Sequence, residues 1–204
     1  MFSTVHELQA RRAVTPVRRR LVVRWLAWAL CTVFFFASLT ASLAQDSVSK
    51  EYQIKAAYLY NFAKFVEWPA DCFTNSESPL VIGVFGQNPF GDELEAIAKD
   101  HKINGRDIVI KPVATMAEAG GVHLMFFGAT EDDHVAGALA ALKKSRGLTV
   151  GESEKFIAAG GMINFVRAAD KVRFEINASA AAQAGLKISA QLLKLAMAIH
   201  KESK

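Results

Sequence analysis

Apolar residues along this chain recur with two different periods, and the change from one to the other outlines the fold. Between residues 50 and 69 the stretch KEYQIKAAYLYNFAKFVEWP sets Tyr52, Ala56, Leu59, Ala63 and Val66 on one helical stripe. Ile54, Tyr58, Phe62 and Phe65 form a second stripe beside it, so apolar side chains cover more than half the circumference of the predicted helix. Lys55, Lys64 and Glu67 leave a narrow wet edge, and Pro69 ends the helix because the residue before a proline is pushed out of the α region. A helix with two apolar stripes needs cover on two sides. A second layer of the same domain can supply it, or a second chain, since isologous contacts commonly use such faces.

Beyond Pro69 the pattern becomes that of strands. LVIGVF at 80–85 is a continuous β-rich run, as expected of a strand buried on both faces. Gly86 to Gly91 make a tight turn, and a short helix through Lys99 follows with Leu94, Ile97 and Ala98 inward. Asn104-Gly105 marks a turn before a second strand at 108–113, and VHLMFF at 122–127 is the third and most apolar strand. Thr130 with Asp133 resembles a capping box that opens a helix over 132–144, with Val135, Leu139 and Leu142 inward and Gly147 beyond its end. A short strand at 148–150 and a short helix at 152–159 come next. Segments 162–166 and 172–176, joined through Ala168, Ala169 and Asp170, form an antiparallel hairpin with Val172, Phe174 and Ile176 on its buried face. Asn177 caps an alanine-rich helix, Gly185 ends it, and Ile188, Leu192, Leu195 and Ile199 form the stripe of a last helix that covers the first. The fold class predicted is α/β: a single three-layer domain with a mostly parallel sheet, an antiparallel C-terminal hairpin and helices on both faces.

The first 44 residues stand outside this rhythm. Arg18, Arg19 and Arg20 form a positive region, the run from Trp25 to Leu39 is apolar, and Ser42-Leu43-Ala44 is a small-residue cleavage site. Residues 1–44 are expected to be a cleaved signal peptide, because the apolar run is shorter than the roughly 20 residues that span a bilayer. Residues 45–204 are then the folded domain. The expected location is the periplasm.

That boundary reverses the charge argument. The chain carries 24 Lys and Arg against 20 Asp and Glu; six of the Arg and one of the Glu lie in the leader, so 18 basic and 19 acidic side chains remain, a net −1. No basic stripe remains for phosphate, and nucleic acid is not an expected partner. Cys31 leaves with the leader, and Leu30 before it is too large for a lipidation site. Cys72 is then a lone thiol just past the first helix, either buried and inert or a candidate for redox-controlled dimerisation.

The residues themselves point to no catalytic, metal or cofactor site. Gly86 and Gly91 have the spacing of a phosphate loop, yet Asp92-Glu93 stand where Lys and Ser or Thr belong. His101, His123, His134 and His200 have no ligand spacing with one another or with Cys72, and His123 reads as a hydrogen-bonded structural residue beside a strand. Glu131-Asp132-Asp133 suits a helix N-terminus. Two surfaces remain. Glu67, Trp68 and Phe73 combine aromatic anchors with charge in the manner of an interface hot spot. The ends of the strands, at Gly86, Asn88, Phe90, Gly128 and Thr130, are where open α/β sheets take small ligands.

The segments KAAYLYNFAKFVEWP, IGVFGQNPFGDEL, INGRDI, HLMFFG, LTVGESEKF, GGMINFV and VRFEINASAAAQAGLKISAQLLKLA, in this order, resemble the YfiR-like family of exported bacterial proteins, from Tyr52 to Ala198. The resemblance implies a compact periplasmic α/β domain, often dimeric. It also implies a non-enzymatic regulator that binds the periplasmic sensing domain of an inner-membrane diguanylate cyclase and lowers cyclic-di-GMP signalling. Cys72 matches the family's cysteine after the E-W-P motif, but residues 142–151 contain none, so redox control through an intrachain disulfide is not expected. The competing expectation is a periplasmic small-molecule binding module that feeds a histidine kinase or a transporter.

Overall fold

The computed structural model describes residues 50–129, 132–142 and 146–201, which fall within one compact unit. The predicted leader, Thr130 and the side chain of Asp133 lie outside the described residues, and so does Lys144.

Helix α1 runs over 50–65 and passes directly into β1 (Val66–Glu67). The helix therefore ends four residues before Pro69, and the reason is tertiary. Val66 and Glu67 pair antiparallel with Ile188 and Lys187 of β8 (Lys187–Ile188), and the N–H of Ser189 takes the carbonyl of Phe65. A helix leaves its last four carbonyls without internal partners; here Ser189, just past β8, supplies one donor, and the indole of Trp68 another, to Ala63 O at 2.9 Å.

The main sheet has seven strands in the order β3-β2-β4-β5-β6-β7-β9: β2 (Leu80–Phe85), β3 (Ile108–Val113), β4 (Leu124–Phe127), β5 (Leu148–Gly151), β6 (Ile163–Ala168), β7 (Lys171–Asn177) and β9 (Ala198–His200). All neighbours are parallel except the β6–β7 hairpin. Its two-residue loop, Ala169-Asp170, has φ of 48° and 56°, the geometry that follows the right-handed twist of the flanking strands. Pro112 sits on the edge strand β3, where its missing N–H costs no ladder bond.

Helices cover both faces, as the sequence predicts. On one face α1, α2 (Glu93–Asp100), α4 (Ala178–Gln183) and α5 (Ala190–Leu195) share a core with Ile82, Leu124, Val150, Phe165 and Phe174. Phe62 of α1 lies at its centre, 4.9 Å from Phe174 and 5.5 Å from Phe165. On the other face α3 (Asp132–Leu142) packs Val135, Ala138 and Leu139 against Met125 and Phe127.

Two predicted elements differ, and so does the placement of two residues on α1. Residues 152–161 form successive turns with no helix, wrapped around the fully buried Phe156. Gly151 and Gly161 lie against that ring so closely that a Cβ on either would come within 2.3 Å of a ring carbon. The last helix is a single short one, α5, because Ile188 belongs to β8 and Ile199 to β9. Of its predicted stripe only Leu192 is buried, and Leu195 and Ile199 are exposed. Lys55, placed on the wet edge by the sequence, is buried, whereas Ile54 is half exposed.

Candidate functional site

The site grows from the end of α1. With its N–H bound to Ala63 O, the Trp68 ring is half-buried and meets His123 edge-on at 6.1 Å. Phe73 stacks on the same imidazole at 4.4 Å and 17°, and the Arg106 guanidinium lies 3.8 Å from the centre of the Phe73 ring. Phe73 is thus held between an imidazole and a cation. The stack is fixed from both ends. Val81 N–H donates to His123 Nδ1 at 3.1 Å, and His123 Nε2 donates to the Cys72 carbonyl at 3.0 Å, which sets the tautomer. Burial first, and Arg106 after it, hold the His123 pKa below its ordinary value, with the bond to Cys72 opposing.

Arg106 is placed by an Asn-Gly turn. Ile103 and Arg106 exchange both backbone bonds, at 2.9 and 3.0 Å, while Asn104 and Gly105 take φ of 51° and 81°, a conformation glycine adopts without cost. Its Nη1 donates to the carbonyls of Asn75 (2.9 Å) and Ser78 (2.7 Å). Trp68, Phe73, Leu80, Ile103, Asn104 and Arg106 line a cavity of ≈ 250 Å³. The sequence reading found Trp68 and Phe73 and placed His123 as a hydrogen-bonded residue, but it missed Arg106. The Asn104-Gly105 turn is the signal that marks where Arg106 sits, but nothing in it names Phe73 as the partner.

Glu67 points elsewhere, into an exposed ion pair with Lys187 at 2.9 Å, of a kind that adds little to stability. Cys72 is half-buried, its Sγ 3.9 Å from the Arg146 carbonyl, beside the Asp71–Arg146 ion pair. Burial pushes its thiol pKa up, with Asp71 adding and Arg146 opposing. The neutral thiol is a weak nucleophile.

The candidate residues at the strand ends, Thr130 aside, are placed as follows. Gly86 is exposed, whereas Gly128 is buried. The Asn88 side chain is engaged locally: its Oδ1 accepts from Phe90 N–H (2.9 Å) and its Nδ2 donates to Gly91 O (3.3 Å). Phe90 is a core ring against Tyr52 and Phe126. The charged group at this end is Glu152, which takes the Tyr52 hydroxyl (2.9 Å), the Lys55 ammonium (2.5 Å) and Ala129 N–H (2.9 Å). Lys55 also meets Glu51 at 2.6 Å, and burial with Glu152 nearby pushes the Tyr52 phenol well up. Among the described residues no group of three or more His, Cys, Asp or Glu is placed to hold a metal, and no helix is long and apolar enough to cross a membrane.

Comparison with known proteins adds the following. No curated protein matches the chain. Two solved structures are similar in part: a conserved domain protein from Vibrio cholerae O1 biovar El Tor, at 16% identity over 59% of this chain and 54% of that one with a TM-score of 0.48, and an ABC domain in complex with L-Trp from Streptococcus pneumoniae, at 15% identity over 59% and 55% with a TM-score of 0.45. The chain thus spans just over half the length of each. The sequence pattern of the family described as YfiR/HmsC-like matches residues 52–197. That match takes in α1, the whole cavity wall and the sheet as far as the start of β9, and by it the chain belongs to the YfiR/HmsC-like family.

Proposed function

We propose that this chain is a non-enzymatic regulator that works in the periplasm, reached through removal of residues 1–44, and binds the sensing domain of an inner-membrane diguanylate cyclase to hold cyclic-di-GMP output down. Membership of the YfiR/HmsC-like family over residues 52–197 carries this reading. The partner surface proposed is the face around Glu67, Trp68 and Phe73. Support comes from its composition and rigidity: half-buried aromatic rings are locked by Ala63, His123 and Arg106. Preorganised aromatic anchors dominate many interfaces, because little side-chain freedom remains to be lost on binding.

Deleting the gene should raise cellular cyclic-di-GMP, and restoring the wild-type chain should lower it. Trp68→Ala should fail to restore it while melting close to wild type, with partner affinity weaker by roughly 2 kcal/mol or more. A loss of roughly 3–5 kcal/mol of folding stability would instead make Trp68 a core residue. Unchanged cyclic-di-GMP on deletion would remove the cyclase from the proposal.

A further inference from the structure

Arg106 is held firmly by groups that leave its charge uncompensated. Its Nη1 is satisfied by two backbone carbonyls and its flat face by Phe73, but none of these carries a negative charge. Among the described residues no carboxylate lies within ion-pair distance of it, and the adjoining Asp107 is paired with Lys102 at 2.7 Å. The edge formed by Nη2 and Nε has no hydrogen-bond partner among the described residues. That edge is the fork that receives a carboxylate through two parallel bonds. The guanidinium forms part of the cavity wall with Trp68, Phe73, Leu80, Ile103 and the polar Asn104, so one cation stands in a wall of mixed aromatic, aliphatic and amide groups.

We infer that this cavity receives an acidic side chain of the partner protein, its carboxylate on the free edge of Arg106 and an adjoining apolar residue against Trp68 and Ile103. The inference rests on the proposed partner surface and assigns the chemistry of its ligand. Charge complementarity carries it: the lining presents one cation and no acid. A rigid cavity of ≈ 250 Å³ suits one side chain with part of a neighbour. Because the Asn104-Gly105 turn and the two carbonyls hold Arg106 before binding, little ordering is left to oppose the contact.

The test uses the exported protein and two end-blocked peptides, Leu-Glu-Phe and its neutral isostere Leu-Gln-Phe, titrated by calorimetry. The Glu peptide should bind about ten- to a hundredfold more tightly, the range expected of hydrogen bonds to a charged group, and the difference should shrink as salt rises. Arg106→Gln should abolish the preference. Asn104→Asp, which leaves the contacts of Arg106 in place and adds a like charge to the wall, should weaken the Glu peptide and spare the Gln peptide. Equal binding of the two peptides, no binding of either, or a preference that survives Arg106→Gln overturns the inference. Phenylpropionate binding as tightly as the Glu peptide overturns it too, because the cavity would then be a small-molecule site. If the peptides fail while Trp68→Ala still releases cyclic-di-GMP, the partner surface stands and only its acidic ligand is lost.

Discussion

At the scale of single residues, Lys55 and His123 show how a buried polar group decides its own surroundings. Lys55 lies three residues after Tyr52 and four before Leu59, on the stripe that faces the sheet, so its ammonium is buried unless a carboxylate comes to it. Glu152 does so, with side chains 7% and 5% exposed. Glu152→Gln should therefore cost about 3 kcal/mol in urea unfolding, the lower end for breaking a buried pair, because Glu51 still faces the ammonium. Lys55→Met in the same background should recover part of that loss by removing the unpaired charge. His123 gives a pH dependence. Its native pKa is depressed, so as the pH falls below about 6.5 the unfolded chain takes up a proton that the native imidazole refuses. The contribution is complete above that pH and declines as the pH drops toward the depressed native value. Urea midpoints at pH 7.5 and 5 should differ less for His123→Gln than for the wild type.

At the scale of elements, the segment between β5 and β6 and the end of α1 depart from the sequence pattern because distant partners set them. Residues 152–159 have helical composition, but Glu152 is committed to Lys55 and Tyr52 while Phe156 fills the space over Gly151 and Gly161. With both anchors fixed, the segment closes as turns. Gly151→Ala should destabilise the fold by about 1–3 kcal/mol, since the rigid ring has nowhere to move; pairing it with Phe156→Leu should relieve the clash and return part of the loss, as read from thermal melts. The end of α1 follows the same logic. Lys50 to Pro69 reads as helix by periodicity, yet β8 captures Val66 and Glu67, a contact 120 residues away in sequence that no local pattern announces.

At the scale of the whole molecule, two cores on opposite faces of one sheet hold the Trp68 face at the end of α1 and the Glu152 cluster at the strand ends. The half-burial of Cys72 bears on whether copies of the chain join covalently. With its thiol pKa raised and its Sγ directed at the Arg146 carbonyl, Cys72 should react with a thiol reagent at pH 7.5 at least about tenfold more slowly than free cysteine. The labelling rate should climb as the pH passes above 9 or on unfolding. Rapid labelling of the native protein, with a covalent dimer on a non-reducing gel, would instead place Cys72 in control of dimerisation.

The sequence by itself determined β2 to β7 and their order of appearance, the hairpin through Ala169-Asp170 and the cap at Asn177, which accepts from Ala180 N–H. Each of these is written in neighbouring residues, where period, turn chemistry and capping act over a few positions. It also determined that Trp68 and Phe73 stand together, because only four residues separate them. Only the tertiary structure decided that Arg106 would brace Phe73, that Lys55 would be buried against Glu152, and where α1 and the last helix would stop. Those outcomes join residues from 33 to 122 positions apart, and a buried charge or a helix end takes whichever partner the packing of the sheet brings to it.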